Sequence, residues 1–289
     1  MLTIFACPKP FTDPHIAIIQ RNAITSWTLL RPKPEIILFG DEPGVAEICE
    51  ELGLRHVPEI ARNEFGTPLL NDLFEKAQRL ASYDILCYVN SDIILLSDFM
   101  GAVKQLAMWR KEFLMVGQRW NVDIKELVNF DDPNWEYQLQ EHVKNNGVQA
   151  PPQWIDYFVF RSGIFREIPP FAVGRTTWDN WLIWRAVSKN IPVVDASSVA
   201  IVIHQNHGYS HHPMGERGVW QGEEAKRNYE LAGGWTCSGS ILSARYRLTS
   251  SGIVRNWTIG HFKERIELTR RWIIDLSRPI RHRLGLRLR

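Results

Sequence analysis

The sequence predicts an α/β fold, with a mostly parallel central sheet and helices on both faces. Three observations predict it. Short apolar runs recur along residues 1–116 and are separated by segments of helical period. The runs are apolar at consecutive rather than alternate positions, as strands buried on both faces require. Polar residues cluster directly after the runs, at the strand ends where an open parallel sheet binds its ligands.

The first run, Leu2–Cys7, is stopped by Pro8 and Pro10, which cannot donate to a ladder. A helix is expected over His15–Leu30, with Ile16, Ile19, Ala23, Ile24 and Trp27 on one face. Glu35–Phe39 is a second buried strand ending in Gly40-Asp41-Glu42. Gly44–Leu52 is a helix closed by Gly53, and Leu54–Val57 a third strand. Thr67–Ala81 is expected as a helix with Thr67 at the cap and Pro68 in first position. A strand begins at Asp84, Ser97 caps a helix to about Lys111, and Phe113–Val116 is the next strand. Trp120–Gln153 is weakly patterned and reads as an excursion over the edge of the site, a lid, with Gly208–Glu223 as a second flap.

The 289 residues are 45% hydrophobic and 23% charged, an ordinary globular composition. A net charge of +2 excludes a nucleic-acid polycation, so no nucleic-acid partner is expected. Cys7, Cys49, Cys87 and Cys237 are scattered without a CxxC pair, which fits a reducing, cytoplasmic setting. Leu2–Cys7 is too short for a signal-peptide core, and no stretch is long enough to span a membrane.

Four loops follow the apolar runs: Cys7 to Pro10, Gly40 to Glu42, Asn90 to Asp92, and Gly117 to Asn121. Asn90-Ser91-Asp92 interrupts an apolar run that then resumes at Ile93. A carboxylate held between two buried segments costs several kcal/mol, on the order of the desolvation penalty, unless something pairs with it. Further on, Trp154–Gly163 reads as a strand entering a turn, and Arg175–Trp184 opens a helix with Asp179 in its first turn. Val199–Ile203 is a buried strand that runs into His204, followed by His207, His211 and His212.

This succession of elements, with an apolar strand ending in an Asp-containing triplet, resembles the GT-A glycosyltransferases over roughly residues 1 to 212. The resemblance implies a Rossmann-like GT-A fold, and an enzyme of polysaccharide or glycolipid synthesis that moves a sugar from a nucleoside-diphosphate donor to a hydroxyl acceptor on a glycan or lipid carrier. It implies that Asp92 holds a divalent cation, Mn²⁺ or Mg²⁺, with His204 as second ligand. Asn90 stands where the family carries its first acid, and is left to hydrogen-bond sugar or ribose. Asp179 maps onto the base of the inverting members, with Asp156 as the alternative carboxylate in the same cleft. Pro8, Asp41, Gly66, Ser91 and Arg119 fall to the donor side: Gly66 opens a helix toward phosphate, and Arg119 faces either a phosphate oxygen or Asp123. Trp178 and Trp181 are candidates to stack on sugar rings.

Two other classes stay open: a metal-dependent hydrolase built on His204–His212, and a non-catalytic sugar-nucleotide-binding protein, which Asn90 favours. Residues 1–235 are expected to form the transferase domain and 236–289 a basic helical appendix. Between Arg255 and Arg289, ten Lys/Arg face three acids, a balance of 10 − 3 = +7. Such an amphipathic segment suits either a peripheral seat on an anionic membrane surface or a helix packed on the domain with a disordered basic end.

Overall fold

The computed structural model describes residues 1–208 and 215–283, the side chains of 272 and 275–283 excepted. In chain order come β1 (Thr3–Ala6), α1 (Pro14–Leu29), β2 (Glu35–Phe39), α2 (Val45–Leu52), β3 (Arg55–Val57), α3 (Leu70–Leu80) and β4 (Ile85–Val89). There follow β5 (Ile93–Leu95), α4 (Ser97–Trp109), β6 (Leu114–Val116), β7 (Trp120–Val122), α5 (Trp135–Asn146), β8 (Val148–Gln149), β9 (Tyr157–Arg161) and α6 (Trp178–Ser188). The chain continues through β10 (Val193–Asp195), β11 (Val202–Gln205), α7 (Gly215–Gln221), α8 (Glu223–Leu231), β12 (Tyr246–Thr249), β13 (Gly252–Arg255) and α9 (Ile259–Arg283).

A nine-stranded sheet has the order β13-β12-β10-β6-β9-β4-β1-β2-β3. It is mostly parallel: β9 lies antiparallel between β4 and β6, and β13 antiparallel on the β12 edge. Alternate residues of each strand enter two cores. Ile4 and Ala6 of β1, with Cys87 and Val89 of β4, pack against Trp27 of α1, Ile48 of α2 and Phe99 of α4. Phe5 and Tyr88, from the same strands, face Phe74 of α3 and Trp181 of α6. The second core is aromatic, with Phe74 edge-on to Phe5 at 5.1 Å and stacked on Phe160 at 5.5 Å. Rings at these separations add about 0.5–1.5 kcal/mol each beyond their buried area.

A second sheet, β5-β11-β7-β8, answers the interruption at Asn90. The chain leaves the main sheet at Val89, turns through Asn90–Asp92, and enters β5, where all three residues are buried again. Both apolar runs are therefore real, and the polar triplet is the joint between the sheets.

Several expectations shift. Thr67 does not cap a helix: Pro68 and Leu69 form bridges to Arg62 and Ala172, and α3 starts only at Leu70. The Ser97 hydroxyl donates to Glu136 instead of capping α4. Residues 120–153 form β7, α5 and β8, a substantial part of the second sheet and its cover. The stretch from 236, expected as a helical appendix, passes through a 3₁₀ turn at Ile241–Ser243 and supplies β12 and β13 to the edge of the central sheet before α9 begins. His211 and His212 lie outside the described residues, as does part of the 208–223 flap.

Candidate active site

A cavity of about 560 Å³ lies at the carboxyl ends of β1, β4 and β6 and reaches Glu42, beyond the end of β2. Its histidines are placed by sheet register. β5 pairs antiparallel with β11, setting Ile93 opposite His204, and the Gln205 N–H donates to the Asp92 carbonyl at 3.3 Å. His204 Nε2 thereby comes to 3.9 Å from Asp92 Oδ2. His207, just past the strand, brings its Nε2 to 3.1 Å from the same oxygen. One ligand atom from each of Asp92, His204 and His207 lies within 4.8 Å of the others.

The residues present fit a divalent cation. Asp92 Oδ1 and His204 Nδ1 are buried without a hydrogen-bond partner among the described residues, a costly arrangement unless something else satisfies them. His207 Nδ1 lies 2.8 Å from the Gly208 carbonyl. A carbonyl only accepts, so in the neutral ring the proton sits on Nδ1 and Nε2 turns a lone pair toward Asp92. A lone pair and a carboxylate oxygen 3.1 Å apart can both turn to one cation, and a carbonyl holding the far N–H is the usual support of a metal-ligating histidine. Burial pushes the His204 imidazole down to about 4 against the pull of Asp92, so this ring is neutral and its lone pair available. Burial would raise Asp92, but the His207 contact and the positive charge around the carboxylate, Lys9 included, outweigh it and hold the carboxyl well below the usual range. One carboxylate and two imidazoles suit first-row divalent ions.

Asn90 is committed to the protein. Its amide donates to Asp156 Oδ1 at 2.6 Å, its carbonyl oxygen accepts from the Tyr88 hydroxyl at 2.9 Å, and its backbone N–H binds the Asp156 carbonyl. Arg119 takes the other Asp156 oxygen at 2.5 Å and Asn121 at 2.9 Å, with its guanidinium 5.3 Å from the Trp154 ring centroid. The partner of Arg119 is thus Asp156; Asp123 accepts instead from Asn206.

Asp179 sits in the first turn of α6, after Thr177, whose φ of 90° is a strained value for a β-branched residue. A helix N-terminus alone would lower a carboxyl. Here burial dominates and, helped by the negative charge of Asp156, pushes Asp179 up to about 7.

Pro8, Gly66, Asn90, Ser91, Asp92, Arg119, Asp156, Trp178, Asp179 and His204 all line the cavity. Asp41 does not; it is exposed and paired with Arg62 at 2.5 Å, while its neighbour Glu42 lines the wall. Trp181 is buried off the cavity, 5.3 Å from Phe171 in the second core. Trp154 and Trp220 instead are partly exposed where they line the cavity, 6.3 Å apart. The sequence does not single out these two from its other tryptophans, and gives Lys9 and Arg175 no role. Their only signal was Lys9's place in the loop after the first strand; which tryptophans stay exposed depends on packing.

No protein-family model matches the chain, and no curated protein matches it. Among solved structures, TarS 1–349 of S. aureus aligns at a TM-score of 0.48 and 10% identity, over 71% of this chain and 60% of that one. Glucosyl-3-phosphoglycerate synthase from Mycobacterium tuberculosis, with Mn²⁺, UDP and glucosyl-3-phosphoglycerate, aligns at 0.48 and 14%, over 81% and 80%. A mannosyltransferase from Pyrobaculum calidifontis, with GDP-Man and Mn²⁺, aligns at 0.43 and 15%, over 70% and 56%.

Proposed function

We propose that the protein is a GT-A-type glycosyltransferase that moves a sugar, with inversion, from a nucleoside-diphosphate donor to a hydroxyl acceptor. The observation that carries this reading is the convergence in one cavity of a cation-ready cluster, Asp92, His204 and His207, with a buried carboxyl raised to about 7, Asp179. A divalent cation, Mn²⁺ or Mg²⁺, held by that cluster would offset the diphosphate charge as the leaving group departs. Asp179 takes the proton of the acceptor hydroxyl while its oxygen attacks the anomeric carbon. The bond from that carbon to the diphosphate oxygen breaks, and its electron pair leaves with the phosphate. Attack from the face opposite the leaving group inverts the centre.

Pro8, Gly66, Ser91 and Glu42 form the donor wall, with Asp41 at its outer rim. Arg119 and Asn90 act by holding Asp156 still. The stacking role for a sugar ring falls to Trp154 and Trp220, since an indole face must be accessible to stack. The acceptor is placed on a glycan or lipid carrier.

No helix among the described residues is long and apolar enough to cross a membrane. The proposed seat is peripheral, on the cytoplasmic side, through α9. Ile259, Phe262, Ile266 and Ile273 are exposed along that helix, and Trp257 lies 5.9 Å from Phe262. Lys263, Arg265 and Arg270 are exposed beside them. Glu264 turns inward to Ser243. Apolar and basic groups on one outer face complement an anionic lipid surface; a second copy would meet it with like charge.

The test is release of nucleoside diphosphate from a panel of UDP-, GDP- and other nucleotide sugars, with and without glycan acceptors, in Mn²⁺ or chelator. Acceptor-dependent release supports transfer. Equal release without acceptor, giving free sugar, makes the protein a hydrolase. Binding without release makes it a sugar-nucleotide-binding protein.

A further inference from the structure

The charges that line the cavity are nearly all spoken for. Arg119 pairs with Asp156, Arg175 with Glu224 at 2.6 Å, and Arg62 holds Glu42 at 2.8 Å. Among the described residues that line the cavity, the remaining cation is Lys9. Its side chain stands in the cavity wall, with Nζ 3.5 Å from His207 Nε2, the same nitrogen that faces Asp92. The backbone around it is fixed: the Lys9 N–H donates to Gln20 Oε1 at 2.7 Å, and the Gln20 amide returns a bond to the Lys9 carbonyl at 2.9 Å. The loop backbone is thus fixed, with the ammonium beside the His207 imidazole and near enough to Asp92 for its charge to lower that carboxyl.

The consequence is a matter of charge. Before any ligand arrives, Asp92 and Lys9 cancel, and the two imidazoles are taken as neutral ligands. A divalent ion at His207 Nε2 would leave the cluster at about +2, with an ammonium close to the ion in a partly desolvated site. That is unfavourable by itself. It becomes favourable when an anion of two or more charges lies against both, and a diphosphate is such an anion. A lysine here therefore works in two directions, against the bare cation and for the cation–diphosphate pair.

Resting on the donor reading above, we propose that Lys9 makes this site take cation and diphosphate as a pair, by repelling the ion alone and contacting the diphosphate oxygens once both are present. Binding of the two is then reciprocal: each tightens the other by the same factor. The device keeps the site from filling with a bare ion and ties occupancy of the cluster to arrival of the donor.

The test is free-ion Mn²⁺ measured by electron paramagnetic resonance, with the intact protein, alone and with saturating UDP or GDP. The wild type should bind Mn²⁺ weakly alone and more tightly with one of the nucleotides, by a factor in the usual coupling range of about 5- to 150-fold. Lys9→Met should bind Mn²⁺ alone more tightly than wild type and lose most of that factor. Chelation of Mn²⁺ by free nucleotide is common to both proteins and cancels in the comparison. Lys9→Arg keeps the charge and should keep the coupling, which separates charge from loss of fold; circular dichroism checks each variant. Coupling in the wild type that survives in Lys9→Met overturns the inference while leaving the donor reading intact. A wild type that binds neither Mn²⁺ nor nucleotide removes both.

Discussion

Asp179 is the residue whose chemistry departs most from its sequence context. In the first turn of α6 it looks like an ordinary partner of the helix dipole, yet burial in the cleft raises it to about 7 from 3.8. Only the ionised form accepts a proton, so transfer should rise as pH increases through about 7, and Asp179→Asn should remove that limb. The same variant should keep donor affinity near wild type and lose about 10²–10⁴-fold in turnover, the range for a lost general base. The sign for stability is opposite. A carboxyl raised on folding contributes stability that is present below its unfolded value near 3.8 and is lost as pH rises through about 7. Asp179→Asn should therefore melt no lower than wild type at pH 8. Asn90 makes the converse case. Its amide lies 2.6 Å from Asp156, so Asn90→Asp sets two carboxylates face to face, and both cannot ionise. The expected loss is about 1–3 kcal/mol, larger at pH 8 than at pH 5, read as a lower melting temperature. That Asp92, His204 and Asp179 line the cavity was legible from sequence, because strand and helix ends announce their places. The use of Asn90 was not, because its partner is 66 positions away.

At the scale of elements, β11 does the positioning. Its pairing with β5 sets His204 beside Asp92, and a register slip of one residue would turn His204 away from the cavity. The strand itself was readable as a buried run. Its partner was not, because β5, β7 and β8 are two or three residues long and α5 has only Leu139 and Val143 buried. Helix α9 carries a separate prediction. Burying an exposed isoleucine is worth about 1.5–3 kcal/mol, and each basic residue at an anionic surface about 1 kcal/mol. The protein should co-sediment with phosphatidylglycerol vesicles and not with phosphatidylcholine vesicles, and Ile266→Glu should weaken that binding at least about tenfold, the low end of that burial energy. Equal binding of wild type and variant would remove α9 as the contact.

For the whole molecule, the α/β class was legible because consecutive apolar runs separated by helical segments admit few other folds. The edge of the sheet was less so: β12 has one buried residue of four and the edge strand β13 none, so neither shows the run of buried positions that marks an inner strand. What the molecule achieves is to seat a second small sheet on the first at Asn90–Asp92, so that a polar joint between two buried strands becomes the floor of the cavity. The central claim is that this joint binds a cation that the reaction needs. The most direct measurement compares wild type with Asp92→Asn in acceptor-dependent release of nucleoside diphosphate, with Mn²⁺ titrated from zero under a chelator. The account predicts that wild-type release depends on Mn²⁺ and that Asp92→Asn, still folded by circular dichroism, loses release at every Mn²⁺ concentration. Full release by wild type in chelator, or by Asp92→Asn at ordinary Mn²⁺, would contradict it.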